Sequence, residues 1–149
     1  MKHFLIISPL LLCCFLVAGC GPKRPDGLPP LFGCVLTFQF EDGSPVDGAS
    51  VSLISDNSAL AQWSISGTTD SSGVVNIHTH GDFVGAPSGT YKITVSKAMS
   101  VDTGRLDESG EPILLLEYLV NERYGSSSTT TLALEITNNA VKETFTVEK

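Results

Sequence analysis

The chain has 149 residues, which is the size of a single domain. Its 9 basic and 16 acidic residues give a net charge of −7. This balance argues against a nucleic-acid partner, because neutralising phosphates requires an excess of Lys and Arg. With 42% hydrophobic residues, the chain resembles neither a disordered polyelectrolyte nor a fibrous repeat.

Residues 1–19 have the organisation of a secretory signal peptide. Lys2 gives a basic start, the run Phe4–Val17 is uncharged and mostly apolar, and the small residues Ala18 and Gly19 follow. A transmembrane helix is the alternative, but it needs roughly 20 apolar residues. This run is shorter and is followed directly by a polar, Pro-rich segment, which favours the signal peptide.

The segment Leu16-Val-Ala-Gly-Cys20 resembles the lipobox of bacterial lipoproteins. The resemblance implies cleavage between Gly19 and Cys20, a diacylglyceryl thioether on Cys20, and further acylation, for example with palmitate. Two or three acyl chains anchor a protein stably, whereas one holds it only marginally. The alternative is a Cys that ends an ordinary signal peptide. We therefore predict a membrane-anchored protein of the bacterial cell envelope, and Gly21 after the Cys favours the outer membrane.

Cysteine usage leaves one thiol for the folded domain. Cys13 and Cys14 lie in the predicted signal peptide and Cys20 is the predicted anchor, so Cys34 has no partner for a disulfide in the mature chain. There is no Cys-x-x-Cys and no zinc-ligand spacing, and we expect no cofactor. Cys34 is in step with neighbouring apolar residues, which predicts a buried side chain; a reactive thiol is the alternative.

The rest of the chain divides into a tether and one all-β domain. Residues 20–32 are rich in Pro and Gly, which predicts a short flexible tether after the lipidated Cys. Residues 33–149 alternate apolar and polar side chains in about seven short runs, separated by turns rich in Gly, Asp and Asn. This pattern predicts a β-sandwich. The predicted strand faces include Leu36-Phe38-Phe40, Ala49-Val51-Leu53, Ala61-Trp63-Ile65, Val75-Ile77, Tyr91-Ile93-Val95, Leu132-Leu134-Ile136 and Val141-Phe145-Val147.

The segment 98–125 is harder to assign. Ser100–Pro112 reads as a polar loop, and Ile113–Val120 is apolar but too short to assign by periodicity. The second run is compatible with an edge strand or with two turns of helix. We predict a loop that ends in a strand or a short helix.

Several motifs resemble the carboxypeptidase regulatory-like, transthyretin-like domains. Gly43–Leu53 is similar to the opening of these domains, Thr69–Val75 to their Thr-Asp-x-x-Gly turn, and Gly89–Val95 to their Gly-x-Tyr strand. Arg123-Tyr124 before the Thr-rich run 129–132 is similar to a feature of small lipoproteins that carry the domain. The resemblance implies a seven-stranded Greek-key β-sandwich over residues 33–149. It also implies a module that is usually not catalytic and that serves binding, adhesion or assembly.

Two groups of residues are candidates for a site. His78, His80 and Asp82 are a possible metal set, because residues i and i+2 of a strand share a face; two polar residues at a strand end are the alternative. Tyr118, Arg123 and Tyr124 are possible contacts for a ligand or partner. Trp63 and Tyr91 are in step with the core, which predicts packing roles.

We predict a lipid-anchored, non-catalytic envelope protein with a structural or protein-interaction role. Its expected partners are the membrane, through Cys20, and an envelope protein or glycan. One alternative is a solute- or glycan-binding lipoprotein that uses the 98–125 loop. A second alternative is a metal-binding protein at His78 and His80. No Gly-x-Ser-x-Gly motif occurs, so serine hydrolysis is not favoured.

Overall fold

The computed structural model describes residues 23–149. The predicted signal peptide, the cleavage site between Gly19 and Cys20, and the lipidation of Cys20 lie outside the described residues. Within 23–149, no helix is long and apolar enough to cross a membrane.

The described chain consists mainly of short strands, which confirms the all-β prediction. One helical turn, α1, spans Ser58–Ala61, and a 3-10 helix spans Glu122–Gly125. The strands are β1 Leu31–Phe32, β2 Cys34–Phe40, β3 Ser50–Ile54, β4 Ile65–Thr68, β5 Val74–Asn76, β6 His78–Thr79, β7 Phe83–Val84, β8 Ala86–Pro87, β9 Gly89–Ser96, β10 Ala98–Leu106, β11 Pro112–Tyr118, β12 Ala133–Ile136 and β13 Val141–Val147.

Two sheets form the sandwich. The larger has the strand order β12-β9-β3-β4-β6-β7, and the smaller has the order β13-β2-β5. The pairs are antiparallel except for β13 with β2, which is parallel along its whole length, from Val141 opposite Cys34 to Val147 opposite Phe40. β1 pairs with β8, and β10 pairs with β11 in a separate two-stranded hairpin.

One hydrophobic core lies between the sheets. Alternation along β2 buries Cys34, Leu36 and Phe38, and the facing sheet contributes Val51 and Ile93. Because the pattern has a period of two, each strand buries one face and leaves the other to solvent. The same alternation buries Tyr91, whose hydroxyl donates to the carbonyl oxygen of Pro87 at 2.8 Å. The predicted packing role of Tyr91 is confirmed.

The Thr-Asp-x-x-Gly turn connects β4 to β5 and joins distant parts of the chain. The buried Thr69 hydroxyl donates to the carbonyl oxygen of Val46 at 2.5 Å and accepts from the N–H of Ala49 at 2.8 Å. Asp70 accepts from the hydroxyl of Ser72 and from the N–H groups of Ser72 and Val74, and these bonds lower the pKa of its carboxyl. Gly73 has φ +76°, and a Cβ there would collide with the carbonyl oxygen of Phe38. The motif therefore fixes a turn in which the backbone of Gly73 lies close to the backbone of Phe38.

One predicted strand is wrong. The alternation of Ala61, Trp63 and Ile65 predicts a continuous strand, but the structure has α1 at Ser58–Ala61 and begins β4 only at Ile65. Asn57 caps α1 by accepting the N–H of Ala59 at 3.0 Å, and this local bond favours a helical turn. Trp63 follows the turn and packs, partly buried, against the core.

The ordered domain begins before residue 33. Leu28 is buried, and Leu31 and Phe32 pair with Pro87 and Ala86 as β1 and β8. Arg24 donates to the carbonyl oxygens of Leu28 and Pro29. The end of the predicted tether thus contacts the sandwich.

A candidate interaction surface

The segment 98–118 forms a β-hairpin instead of the predicted polar loop. Ala98 lies opposite Tyr118, Val101 opposite Leu115, and Asp102 opposite Leu114, with an irregularity before Leu106 meets Pro112. The sequence did not predict β10, because its residues are exposed on both faces. The alternation of apolar and polar residues that indicates a half-buried strand is therefore absent. For Ile113–Val120, the strand alternative is confirmed over Pro112–Tyr118.

Local hydrogen bonds order the hairpin from its base to its tip. At the base, the N–H of Leu119 donates to the carbonyl oxygen of Lys97 at 2.9 Å. Along the strands, the Thr103 hydroxyl donates to the carbonyl oxygen of Ile113 at 2.7 Å. At the tip, the Asp107 carboxylate accepts from the N–H groups of Ser109 and Glu111 at 2.8 and 2.9 Å. These bonds give the segment a defined shape without help from the core.

Both faces of the hairpin present large apolar side chains to solvent. Residues directly opposite in an antiparallel pair lie on the same face. One face therefore carries Leu114, Leu116 and Tyr118, which are 57%, 58% and 45% exposed. The other carries Met99, Val101 and Leu115, of which Leu115 is 62% exposed. Contiguous exposed apolar surface of this kind is typical of protein–protein contact sites.

The charges of the hairpin gather at its tip. Asp107, Glu108 and Glu111 lie in and beside the turn, with Arg105 as the one basic residue of the hairpin. The strands themselves carry only Asp102, Arg105 and Glu117 as charged residues. Apart from Asp102 and Glu117, the acidic side chains of the hairpin lie at its tip and the apolar ones lie nearer its base.

The predicted contact residues Tyr118, Arg123 and Tyr124 do not form one exposed patch. Tyr118 lies exposed near the base of the hairpin, but Tyr124 is only 3% exposed and belongs to the core. The prediction of Tyr124 as a contact residue is therefore wrong. The Arg123 guanidinium lies 4.6 Å from the centre of the Tyr124 ring, donates to its hydroxyl, and pairs with Glu148 at 2.8 Å. Arg123 holds the 3-10 helix against the C-terminal strand region.

The structure does not group the metal candidates. His80 has φ +56° and lies in the turn after β6, so it does not continue the strand face of His78. The His78 ring contacts the carbonyl oxygen of Asn76, and the His80 ring packs edge-on against Trp63 with ring centres 5.9 Å apart. Over residues 23–149, no three His, Cys, Asp or Glu side chains lie close enough together to hold a metal ion.

Cys34 has the environment of a core residue. It is buried in β2, and burial, followed by the negative charge of Glu143, raises the pKa of its thiol to about 11. A thiol with so high a pKa is protonated at neutral pH and is a poor nucleophile. The prediction of Cys34 as a buried hydrophobe is confirmed.

The surface depression on the hairpin does not resemble a site for a small polar ligand. It has a volume of about 450 Å³ and is lined by Val101, Thr103, Leu115, Leu116 and Glu117. Sites for small ligands are typically concave and combine an apolar lining with several converging polar groups. This depression is open and mostly apolar, which suits a protein surface better than a solute or glycan.

Sequence reasoning missed the apolar residues of the hairpin as contact candidates. The sequence pattern did not single out Met99, Val101 or Leu114–Leu116. They lie in the segment that was predicted to be a loop followed by an apolar run of uncertain structure. The feature of the sequence that could have predicted the hairpin is the turn between β10 and β11. Asp107 and Gly110 lie at its two sides, Gly110 has φ +83°, and the N–H of Gly110 donates to the carbonyl oxygen of Asp107.

Comparison with known proteins gives no family for the chain. No family model matches it, and no curated protein matches it. Among solved structures, it is similar to BcpA, the major pilin subunit of Bacillus cereus, with 21% identity and a TM-score of 0.44 over 81% of this chain and 31% of that chain. A point variant of BcpA gives 22% identity and a TM-score of 0.46 over the same shares. A 9R-lipoxygenase from Cyanothece PCC8801 gives 14% identity and a TM-score of 0.39, over 85% of this chain and 18% of that chain.

The chain spans less than a third of the length of the pilin subunit and less than a fifth of that of the lipoxygenase. At these TM-scores the similarities carry no argument about what this chain does.

Proposed function

We propose that this chain is a lipid-anchored protein of the bacterial cell envelope. Its β-sandwich has a non-catalytic, protein-interaction role, and the β10–β11 hairpin is the contact surface. The observation that carries the interaction role is the exposed apolar surface of this hairpin, which the sandwich does not use for its own core.

The energetics of the hairpin support a contact role. Burying a Leu side chain completely is worth about 1.5–3 kcal/mol relative to leaving it in water. Leu114, Leu115 and Leu116 remain more than half exposed in the described chain, so most of this free energy is available to a partner. Because the hairpin backbone is already ordered by its own hydrogen bonds, binding a partner would not include the entropic cost of ordering that backbone.

The anchoring part of the proposal rests on the sequence Leu16-Val-Ala-Gly-Cys20 behind an uncharged apolar run. Lipid chains on Cys20 would hold the sandwich at a membrane surface, with the Pro-rich segment that follows as the connection. The acidic charge of the chain gives no attraction to an anionic membrane, so the lipid supplies the attachment.

The carboxypeptidase regulatory-like resemblance fits the same role. Its Thr69–Val75 motif forms a turn, its Gly89–Val95 motif forms most of strand β9, which lies between β12 and β3, and both act in folding. Neither contributes a nucleophile or a metal ligand. We propose that the sandwich is a module of this type, which holds the hairpin away from the membrane.

The anchor is tested by replacing Cys20. In bacteria fed a labelled fatty acid, the natural chain should take up the label and sediment with membranes. Cys20→Ser should lose the label and leave the membrane fraction, because the thioether sulfur is gone. Cys34→Ala is the matched control, since it also removes one thiol, and it should keep both properties. A Cys20→Ser chain that stays labelled and membrane-bound would refute the anchor.

A further inference from the structure

We propose that the hairpin binds a second copy of the same chain, through antiparallel pairing of the two β11 strands along their outer edges. This inference rests on the interaction role proposed above for the hairpin and identifies its partner. The pairing would make a continuous four-stranded sheet in the order β10-β11-β11-β10.

The outer edge of β11 is open to pairing. Within residues 23–149, β11 pairs only with β10, so the N–H and C=O groups of its other edge have no strand partner. Exposed edges attract other strands unless they are short or carry charges. β11 has seven residues, and its central run Ile113–Leu116 is uncharged and apolar.

The other edge strands of the sandwich are protected in those ways. β7 has two residues, β5 has three and β12 has four, so each offers few hydrogen bonds. β13 has seven residues but carries Lys142 and Glu143 on adjacent positions. By contrast, the central run of β11 has no such protection, since Pro112 and the one charged residue, Glu117, lie on either side of it.

The sequence of β11 suits pairing with itself. Antiparallel pairing about the centre of Pro112–Tyr118 places Leu115 opposite Leu115 and Leu114 opposite Leu116. It places Glu117 opposite Ile113, so no two like charges meet. Apolar cross-strand pairs stabilise a sheet, whereas like charges directly opposite destabilise it.

The outer edge of β10 is less suited to the same contact. The centre of Ala98–Leu106 is Asp102, so symmetric pairing of two β10 strands would place two Asp102 carboxylates opposite each other. The irregularity between Asp102 and Leu106 also interrupts the regular ladder. Pairing between two copies is therefore more favourable at the outer edge of β11 than at that of β10.

The charges of the tip favour an antiparallel arrangement. Two parallel hairpins would bring together two sets of Asp107, Glu108 and Glu111, which repel each other. The antiparallel arrangement moves the two acidic tips to opposite ends of the paired strands, so this repulsion is avoided.

A bilayer suits the hairpin less well than a second copy. An open strand edge is not tolerated in hydrocarbon, because its backbone groups would lack hydrogen-bond partners. The acidic tip would also be repelled by anionic lipid headgroups.

Disulfide trapping in the membranes of cells that express the full chain tests the pairing. Leu115→Cys places a thiol on the symmetry axis, where directly opposite residues have Cα atoms close enough for a disulfide. Asp102→Cys is the matched control on the neighbouring strand, and the unsubstituted chain measures the background from Cys34. After mild oxidation, Leu115→Cys should give disulfide-linked dimers, with few from Asp102→Cys.

Equal amounts of disulfide-linked dimer from the two variants, or no dimer from Leu115→Cys, would overturn the proposal that the hairpin binds a second copy. The proposed function is judged separately, by a photo-cross-linking residue at Leu116. An adduct there with a different protein would preserve the interaction role and reject self-pairing. No adduct with any protein would reject both.

Discussion

At the scale of single residues, Thr69 shows what a motif of turn residues does in this fold. Its buried hydroxyl bonds both the N–H of Ala49 and the carbonyl oxygen of Val46, which lie some 20 residues earlier in the chain. One side chain thus fixes the start of β3 against the end of β4. Sequence reasoning recognised the motif but not these partners, because the partners depend on tertiary contacts.

Thr69→Val should destabilise the sandwich by about 2–6 kcal/mol, because an unsatisfied buried donor or acceptor costs about 1–3 kcal/mol and this change leaves one of each. Thr69→Ser is the control, since it keeps the hydroxyl and loses only a methyl group. Urea unfolding followed by circular dichroism measures both variants. Equal stability of the two would show that the hydrogen bonds contribute nothing.

Tyr124 and Leu116 show where residue-level reasoning failed in opposite directions. Tyr124 lies next to Arg123 in a polar, Ser- and Thr-rich stretch, so exposure was the natural expectation, but the 3-10 helix turns its ring into the core. Leu116 lies in an apolar run, which normally indicates burial, but it is exposed. Local polarity predicts neither, because exposure is set by which elements pack together.

At the scale of elements, the accuracy of sequence reasoning followed burial. The alternation of Leu36 and Phe38 predicted β2 correctly because one face of that strand lies in the core and the other does not. The same reasoning failed for Ala61–Ile65, where a capped helical turn satisfies the same short pattern. It also failed for β10, which buries neither face.

The hairpin should be separable from the sandwich. No residue from 97 to 119 belongs to the core, and the N–H of Leu119 bonds the carbonyl oxygen of Lys97 at the base. Replacing residues 98–118 with Asn-Gly, a dipeptide that favours tight hairpin turns, should leave a cooperatively unfolding β protein with a melting temperature close to the original.

Differential scanning calorimetry measures that variant. The substitution Leu134→Ala serves as the control, because it truncates a buried core residue of β12 and should lower the melting temperature clearly. A hairpin-less chain that loses its cooperative transition would show that the hairpin is part of the folding unit.

At the scale of the whole molecule, three tasks are divided along the chain. The N-terminal segment is proposed to attach the protein to a membrane, the sandwich supports the hairpin, and the hairpin is proposed to bind a partner through its exposed apolar surface. The sandwich was predictable because one buried core imposes a period of two on its strands. The exposed apolar strands of the hairpin were not predictable, although Tyr118 and the segment 98–125 were named as candidates, because side chains that pack on nothing in their own chain leave no pattern of burial in the sequence.

The most direct measurement is photo-cross-linking of the full chain in the cells that express it. A photoreactive residue is placed at Leu116 on the hairpin or, as the control, at Val84 on β7, which is 66% exposed and lies on a different part of the surface. We predict a discrete adduct from Leu116 at twice the mass of the chain, and none from Val84. Equal labelling from both positions, or no adduct from Leu116, would contradict the claim that the hairpin is the interaction surface.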